Sequence, residues 1–88
     1  ILNAGSSIGV NCIINSQALI EHDVVVEAHC HISTGAIVNG GVFIGEKSFI
    51  GSGSVIHEGI RIGEKCVVAA GSVICEDLPD ETLFRKNS

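Results

Sequence analysis

Four histidines, His22, His29, His31 and His57, are the side chains of this 88-residue chain best suited to moving protons near neutrality. His22 stands between two carboxylates in the run Ile20-Glu21-His22-Asp23. A neighbouring carboxylate fixes an imidazole tautomer and keeps the ring basic, as a general base requires. Glu21 and Asp23 both qualify, and spacing does not choose between them. Eighteen residues on come Gly40-Gly41, where bare backbone N–H groups can approach a developing oxyanion. A solvated turn histidine beside turn glycines is the plainer account of the same residues. His31 follows His22 by nine positions, and the two rings border one cleft only if a second copy brings a face against a corner. Alone, His31 reads equally well as an interface histidine. Thr34, Ser52 and Ala70 recur at eighteen-residue intervals, each followed by glycine. Such a row leaves a groove for a long, thin ligand against backbone amides, although a tightly turning backbone asks for the same residues.

Metal chemistry fits poorly. The histidine intervals of seven, two and twenty-six residues lack zinc-ligand spacing, and do not match the three-histidine pattern of β-helical carbonic anhydrases. His29 and His31, alternating on one expected strand, could ligate together only with further partners. No metal is expected. The four cysteines contain no C-x-x-C pair. Cys12, Cys30 and Cys66 lie at eighteen-residue multiples and are expected to stack inside as free thiols, behaving as small hydrophobes. A reducing, cytoplasmic setting follows.

The element that positions these residues is a six-residue repeat. From Leu2 the positions Ile8, Ile14, Ile20, Val26, Ile32, Val38, Ile44, Ile50, Ile56, Ile62, Val68 and Ile74 are all Leu, Ile or Val. Four residues after each comes a small or aliphatic side chain, from Ser6 to Leu78. This period belongs neither to a helix nor to a lone amphipathic strand. It is the hexapeptide signature of a parallel β-helix, all-β, with a short strand and a bend per hexad. Three hexads close a triangular coil, so residues 1–79 form about four single-stranded coils, and residues 80–88 read as a C-terminal tail or the start of a cap. Gly5, Gly35, Gly41, Gly53, Gly59 and Gly71 mark bends. A solenoid lets so short a chain stabilise itself coil by coil, each burying roughly 1.5–3 kcal/mol per large aliphatic side chain before entropy is subtracted.

Strand alternation sends the residues between the inward positions outwards. One face then carries Leu19, Ile37, Val55 and Val73, another Ile13, His31, Phe49 and Val67, and a third Ser7, Val25, Phe43 and Arg61. Rows of exposed aliphatics mark an interface, and a three-sided prism suits a cyclic homotrimer. The net charge of −5, with five Lys plus Arg, argues against nucleic acid or an anionic membrane as partner. No apolar run approaches a membrane span. The chain begins at Ile1 in phase with the repeat, and reads as a fragment of something longer.

The runs IINSQALIEHDVVVEAHCHISTGAIVNGGVFIG, FIGSGSVI and VVAAGSVICEDLP resemble the sugar acyltransferases of bacterial sialic-acid and surface-glycan biosynthesis. These comprise NeuD-like sialic-acid O-acetyltransferases and N-acetyltransferases of nucleotide-linked amino sugars. The resemblance spans about Ile8 to Asp80, and EH with a downstream HIS is its most specific part. It implies a left-handed coil, a homotrimer, acetyl-CoA as donor and a small-molecule sugar as acceptor. It also implies His22 as general base, oriented by Glu21 or Asp23, with His31, Gly40, Ser52 and Ala70 on the coenzyme. Sialic-acid O-acetylation is the leading expectation, and N-acetylation of a nucleotide-linked amino sugar the alternative. A non-catalytic trimerising stalk is the competing reading from another class. Relatives usually add an N-terminal nucleotide-binding α/β domain and a Gly-x-Pro-Ala-Lys-like tail, whereas these 88 residues hold no such domain and end LFRKNS.

Overall fold

Every sixth side chain is an aliphatic that must leave water, and a chain that bends between successive ones closes into a three-sided coil. The structure is a computed structural model and describes residues 3–85. Among the described residues, thirteen two-residue strands form three parallel sheets. The first holds β1 (Ser7–Ile8), β4 (Val25–Val26), β7 (Phe43–Ile44) and β10 (Arg61–Ile62). The second holds β2 (Ile13–Ile14), β5 (His31–Ile32), β8 (Phe49–Ile50), β11 (Val67–Val68) and β13 (Leu83–Phe84). The third holds β3 (Leu19–Ile20), β6 (Ile37–Val38), β9 (Val55–Ile56) and β12 (Val73–Ile74). Pairs such as Ser7 with Val25, Ile13 with His31 and Leu19 with Ile37 fix an eighteen-residue coil. The architecture is the expected parallel β-helix of about four turns and agrees with left-handed winding. Its extents are 34 × 21 × 21 Å.

The aliphatic column is the core. Ile20, Ile32, Ile44, Ile50, Ile56 and Ile62 are fully buried, while Ile8 and Ile14 at the N-terminal end are partly so. Beside it runs a ladder of small polar groups. Cys12, Cys30 and Ser48 each donate from Sγ or Oγ to the carbonyl fifteen residues on, at 3.0, 3.1 and 2.8 Å. Cys66 continues the ladder to the Pro79 carbonyl at 3.2 Å. The three cysteines therefore share the inward column expected of them, with Cys12 partly exposed, and all four thiols are free. Burial pushes the Cys30 thiol up to about 11. Cys75 lies off the column and is exposed.

Two local features go beyond the repeat. All six bend glycines have positive φ, and so do Asn11, Asp23, His29, Lys47, Lys65 and Glu81 at equivalent corners. These side-chain-bearing residues occupy the left-handed region at a cost of roughly 1–2 kcal/mol each, which stacking of the coils must offset. His29 is thus a corner residue, and only His31 of that pair lies in a strand. The last coil is also shorter. Leu78 bridges to Ile62, and Val67 pairs with Leu83, an offset of sixteen residues in place of eighteen. Asp77 and Asp80 serve the tightened turns, each accepting from a backbone N–H, of Arg61 at 2.8 Å and of Glu64 at 2.9 Å. Leu83 and Phe84, within the stretch read as a tail, therefore add a fifth strand to the second sheet.

Candidate functional site

The corner between the third and first sheets is where the coils differ most in side chain. Wrapped at eighteen residues, it stacks Asn3, Glu21, Asn39, His57 and Cys75 in one column, and Ala4, His22, Gly40, Glu58 and Glu76 in the next. Gly40 is a missing tooth in the second column. An open cleft of about 440 Å³ lies there, lined by Glu21, His22, Asn39, Gly40, His57 and Glu58.

His22 projects from the turn after β3, with 61 % of its side chain exposed. Its Nδ1 lies 3.2 Å from Oδ2 of Asp23, within hydrogen-bonding distance. The positive φ of Asp23 accompanies this contact, and its other carboxylate oxygen rests against the bare Cα of Gly5. Glu21 points elsewhere, its Oε1 accepting from Asn3 Nδ2 at 3.3 Å. With Nδ1 facing a carboxylate, Nε2 is the free edge of the imidazole. That edge leans over the gap, because a Cβ built on Gly40 would sit 2.6 Å from Nε2 and 2.7 Å from Cε1. Gly40 itself is buried, and its φ is not positive, so closeness to the ring is what demands glycine here. Asn39 is held by donating from Nδ2 to the Ile56 carbonyl at 2.9 Å.

His22, Asp23, Glu21 and Gly40 thus come together. His31, Ser52 and Ala70 lie apart from them within one chain. His31 faces outwards from the second sheet, edge-on to Phe49 with centroids 5.1 Å apart. Ser52 and Ala70 are exposed at the corner between the second and third sheets, beside Thr34. His57, noted in the sequence only as one of the four histidines, and Glu58, which the sequence analysis did not name, also line the cleft. The eighteen-residue wrap that paired His22 with Gly40 would have found them one step further. His57 Nε2 stands 3.8 Å from Cys75 Sγ. Among the described residues, no cluster of three or more His, Cys, Asp or Glu is arranged to hold a metal ion. Nor, among the described residues, is any helix long and apolar enough to cross a membrane.

Fold and cleft together define a hexapeptide-repeat β-solenoid with a histidine at a corner. Residues 41–76 match the family described as the hexapeptide repeat of succinyl-transferase. No curated protein matches the sequence. Among solved structures, a histidine-to-asparagine mutant of perosamine N-acetyltransferase from Caulobacter crescentus, in complex with CoA and GDP-perosamine, superposes with a TM-score of 0.88. It is 40 % identical over 90 % of this chain. A histidine-to-alanine mutant of that enzyme, with the same two ligands, gives a TM-score of 0.90 at 40 % identity over 91 % of the chain. The acetyltransferase domain of PglB from Neisseria gonorrhoeae, in complex with acetyl coenzyme A, gives 0.79 at 32 % identity over 91 % of the chain. The chain spans 38 % of the Caulobacter proteins and 42 % of the Neisseria one.

Proposed function

We propose that this chain carries the donor and base half of an acetyl-CoA-dependent N-acetyltransferase acting on a nucleotide-linked amino sugar. The observation that carries the reading is the His22–Asp23 pair leaning over Gly40 in an acidic cleft. Glu21 and Glu58 line that cleft and Asp23 adjoins it, with no Lys or Arg among the lining residues. Such a field attracts an ammonium-bearing sugar and repels the carboxylate of a sialic acid. The structural neighbours, which bind CoA, acetyl-CoA and GDP-perosamine, point the same way. Sialic-acid O-acetylation, the leading expectation from sequence, finds no counterpart among them, and the amino-sugar alternative is the better supported.

In the proposed step the neutral amine of the sugar attacks the thioester carbonyl of acetyl-CoA. The N–C bond forms, the C–S bond breaks, and His22 Nε2 takes the proton that the amine loses. The departing thiolate is protonated to free CoA. Asp23 holds the ring by Nδ1 and stabilises the imidazolium. The Gly40 N–H, which has no acceptor among the described residues, is available to the developing oxyanion. A positioned base contributes about 10²–10⁴-fold. His31, with Ser52 and Ala70, would meet the coenzyme of a site completed by another subunit. The outward rows that include Ile13, Phe49 and Val67 support assembly as a homotrimer. Four free thiols, one of them exposed, favour a reducing, cytoplasmic setting.

The test is isothermal titration of acetyl-CoA, with mass in solution, followed by CoA release with an amino sugar as acceptor. Saturable coenzyme binding to a trimer and a loss of at least about 10²-fold in turnover for His22→Ala are expected. Equal turnover in that variant, or an oligomer indifferent to acetyl-CoA, overturns the proposal in favour of a structural stalk.

A further inference from the structure

We propose that Glu58, with His57 beside it, is the acceptor-selecting wall of the cleft, and that its carboxylate binds the ammonium form of the incoming amino sugar. The inference rests on the reading above and names the recognition element which that reading lacks. His22, Gly40 and Glu58 follow one another in a single corner column, so one empty coil separates the histidine from the glutamate. Adjacent coils are about 4.8 Å apart, which puts the backbones of His22 and Glu58 about 10 Å apart. The His22 ring closes half of that distance, since its Nε2 overhangs Gly40. What remains between Nε2 and the level of Glu58 is about one coil spacing. A single nitrogen hydrogen-bonded to both groups, at roughly 2.8 Å each, spans 5–6 Å. The gap is therefore sized for one amine.

The carboxylates around the cleft are not equivalent. Asp23 faces His22 and Glu21 accepts from Asn3. Glu58 has no hydrogen bond or ion pair among the described residues, and it is exposed at the far edge of the same cleft. It is the cleft acid left free to pair with a ligand. His57, backed by Cys75 at 3.8 Å, borders that edge and is placed for a sugar hydroxyl. An amino sugar reaches the protein mainly as its ammonium ion. Capture by Glu58 would hold that nitrogen within reach of Nε2: the ammonium gives one proton to solvent to become the neutral amine, and the proton lost as the N–C bond forms passes to Nε2. A neutral or N-acetylated sugar loses the charge-assisted contact, so product release follows from the same residue.

The experiment reads binding and needs no turnover. The methyl glycoside of an aminodeoxyhexose, and separately its N-acetylated form, are titrated into the full chain while the imidazole C–H resonances of the four histidines are followed. The amine should shift the His22 and His57 resonances together and saturably, and bind more tightly than its N-acetylated form. Glu58→Gln should weaken the amine about tenfold, as expected for loss of one charged hydrogen bond, and leave the N-acetylated sugar unchanged. Glu76→Gln, one coil further along the column, is the control and should bind the amine like the unaltered protein. Equal affinity of Glu58→Gln and the parent chain for the amine, or an amine bound no better than its N-acetylated form, overturns the assignment. Amine binding that depends on Glu58 in a protein that transfers no acetyl group would instead sink the catalytic reading and keep this one.

Discussion

The closest constraint on the cleft is the contact between His22 and Gly40, and Gly40→Ala tests it with one methyl group. The new Cβ would lie 2.6 Å from Nε2 and 2.7 Å from Cε1, against an ordinary separation of about 3.5 Å. Backbone conformation does not oppose alanine, because Gly40 is not among the positive-φ residues. The imidazole must therefore swing away by about 1 Å, and with 61 % of the side chain exposed it is free to do so. Stability should barely respond. Loss of unfolded-state entropy favours alanine by roughly 0.4–1 kcal/mol, which offsets most of the cost of moving the ring. Activity should respond strongly, since displacing a reacting group by about 1 Å costs on the order of 10²-fold. Thermal unfolding and CoA release, measured on the same preparations, separate the two effects. Unchanged turnover with unchanged Tm would show that the ring position over Gly40 is irrelevant to chemistry. A collapse of Tm would show that the glycine is there for the fold alone.

Asp23→Asn should lower kcat by about tenfold or more, and by more than Glu21→Gln does, because only Asp23 faces Nδ1. Asparagine tolerates the positive φ of 59° there, so circular dichroism should be unaltered, and the reverse ranking in kcat would contradict the geometry. Ser48→Ala should destabilise the chain by about 1–3 kcal/mol in a denaturant titration. It strands the buried Gly63 carbonyl and Cys66 N–H that the hydroxyl serves at 2.8 and 3.0 Å. Ser48→Cys, which restores the residue type of its column neighbours, should recover part of that loss. Stability should also fall as pH rises from about 9 towards 11. The buried Cys30 thiol stays protonated up to about 11 in the folded chain, while an unfolded cysteine ionises from about 9, so base favours unfolding. Cys30→Ser should flatten that slope, and an unchanged slope would assign it elsewhere.

Much of this architecture was legible because one physical requirement repeats. Each sixth residue must be buried, and a strict period of six leaves a three-sided coil as the consistent solution, which also places His22 beside Gly40. What the period could not supply is whatever breaks it. Asp23 and His29 occupy a left-handed position that the sequence reading assigned to glycine, because coil stacking imposes that backbone whatever the side chain. The sixteen-residue last coil arises where Asp77 and Asp80 supply carboxylate oxygens to backbone N–H groups. Only side-chain geometry distinguishes Asp23 from Glu21, since both flank the histidine in sequence.

The separation of His31, Ser52 and Ala70 from His22 follows from the same geometry. A triangular coil carries sequence neighbours around its circumference, so nine residues move the chain half a turn, from one corner to the opposite face. Residues eighteen apart are close in space, and residues nine apart are not. A cleft built within one chain must therefore draw on one corner, as the adjacent columns of Glu21, Asn39 and His57 and of His22, Gly40 and Glu58 do. A site that also used His31 would need the second-sheet face of another copy brought against that corner. The apolar residues beside His31, namely Ile13, Phe49 and Val67, are exposed on that very face. Under the proposed function, trimer formation and coenzyme binding would be linked. A charged substitution such as Val67→Glu, remote from the His22 cleft, should abolish acetyl-CoA binding together with assembly while the coil stays folded. Retained binding by a monomeric Val67→Glu chain would place the whole donor site on one copy, and leave His31 without the role proposed for it.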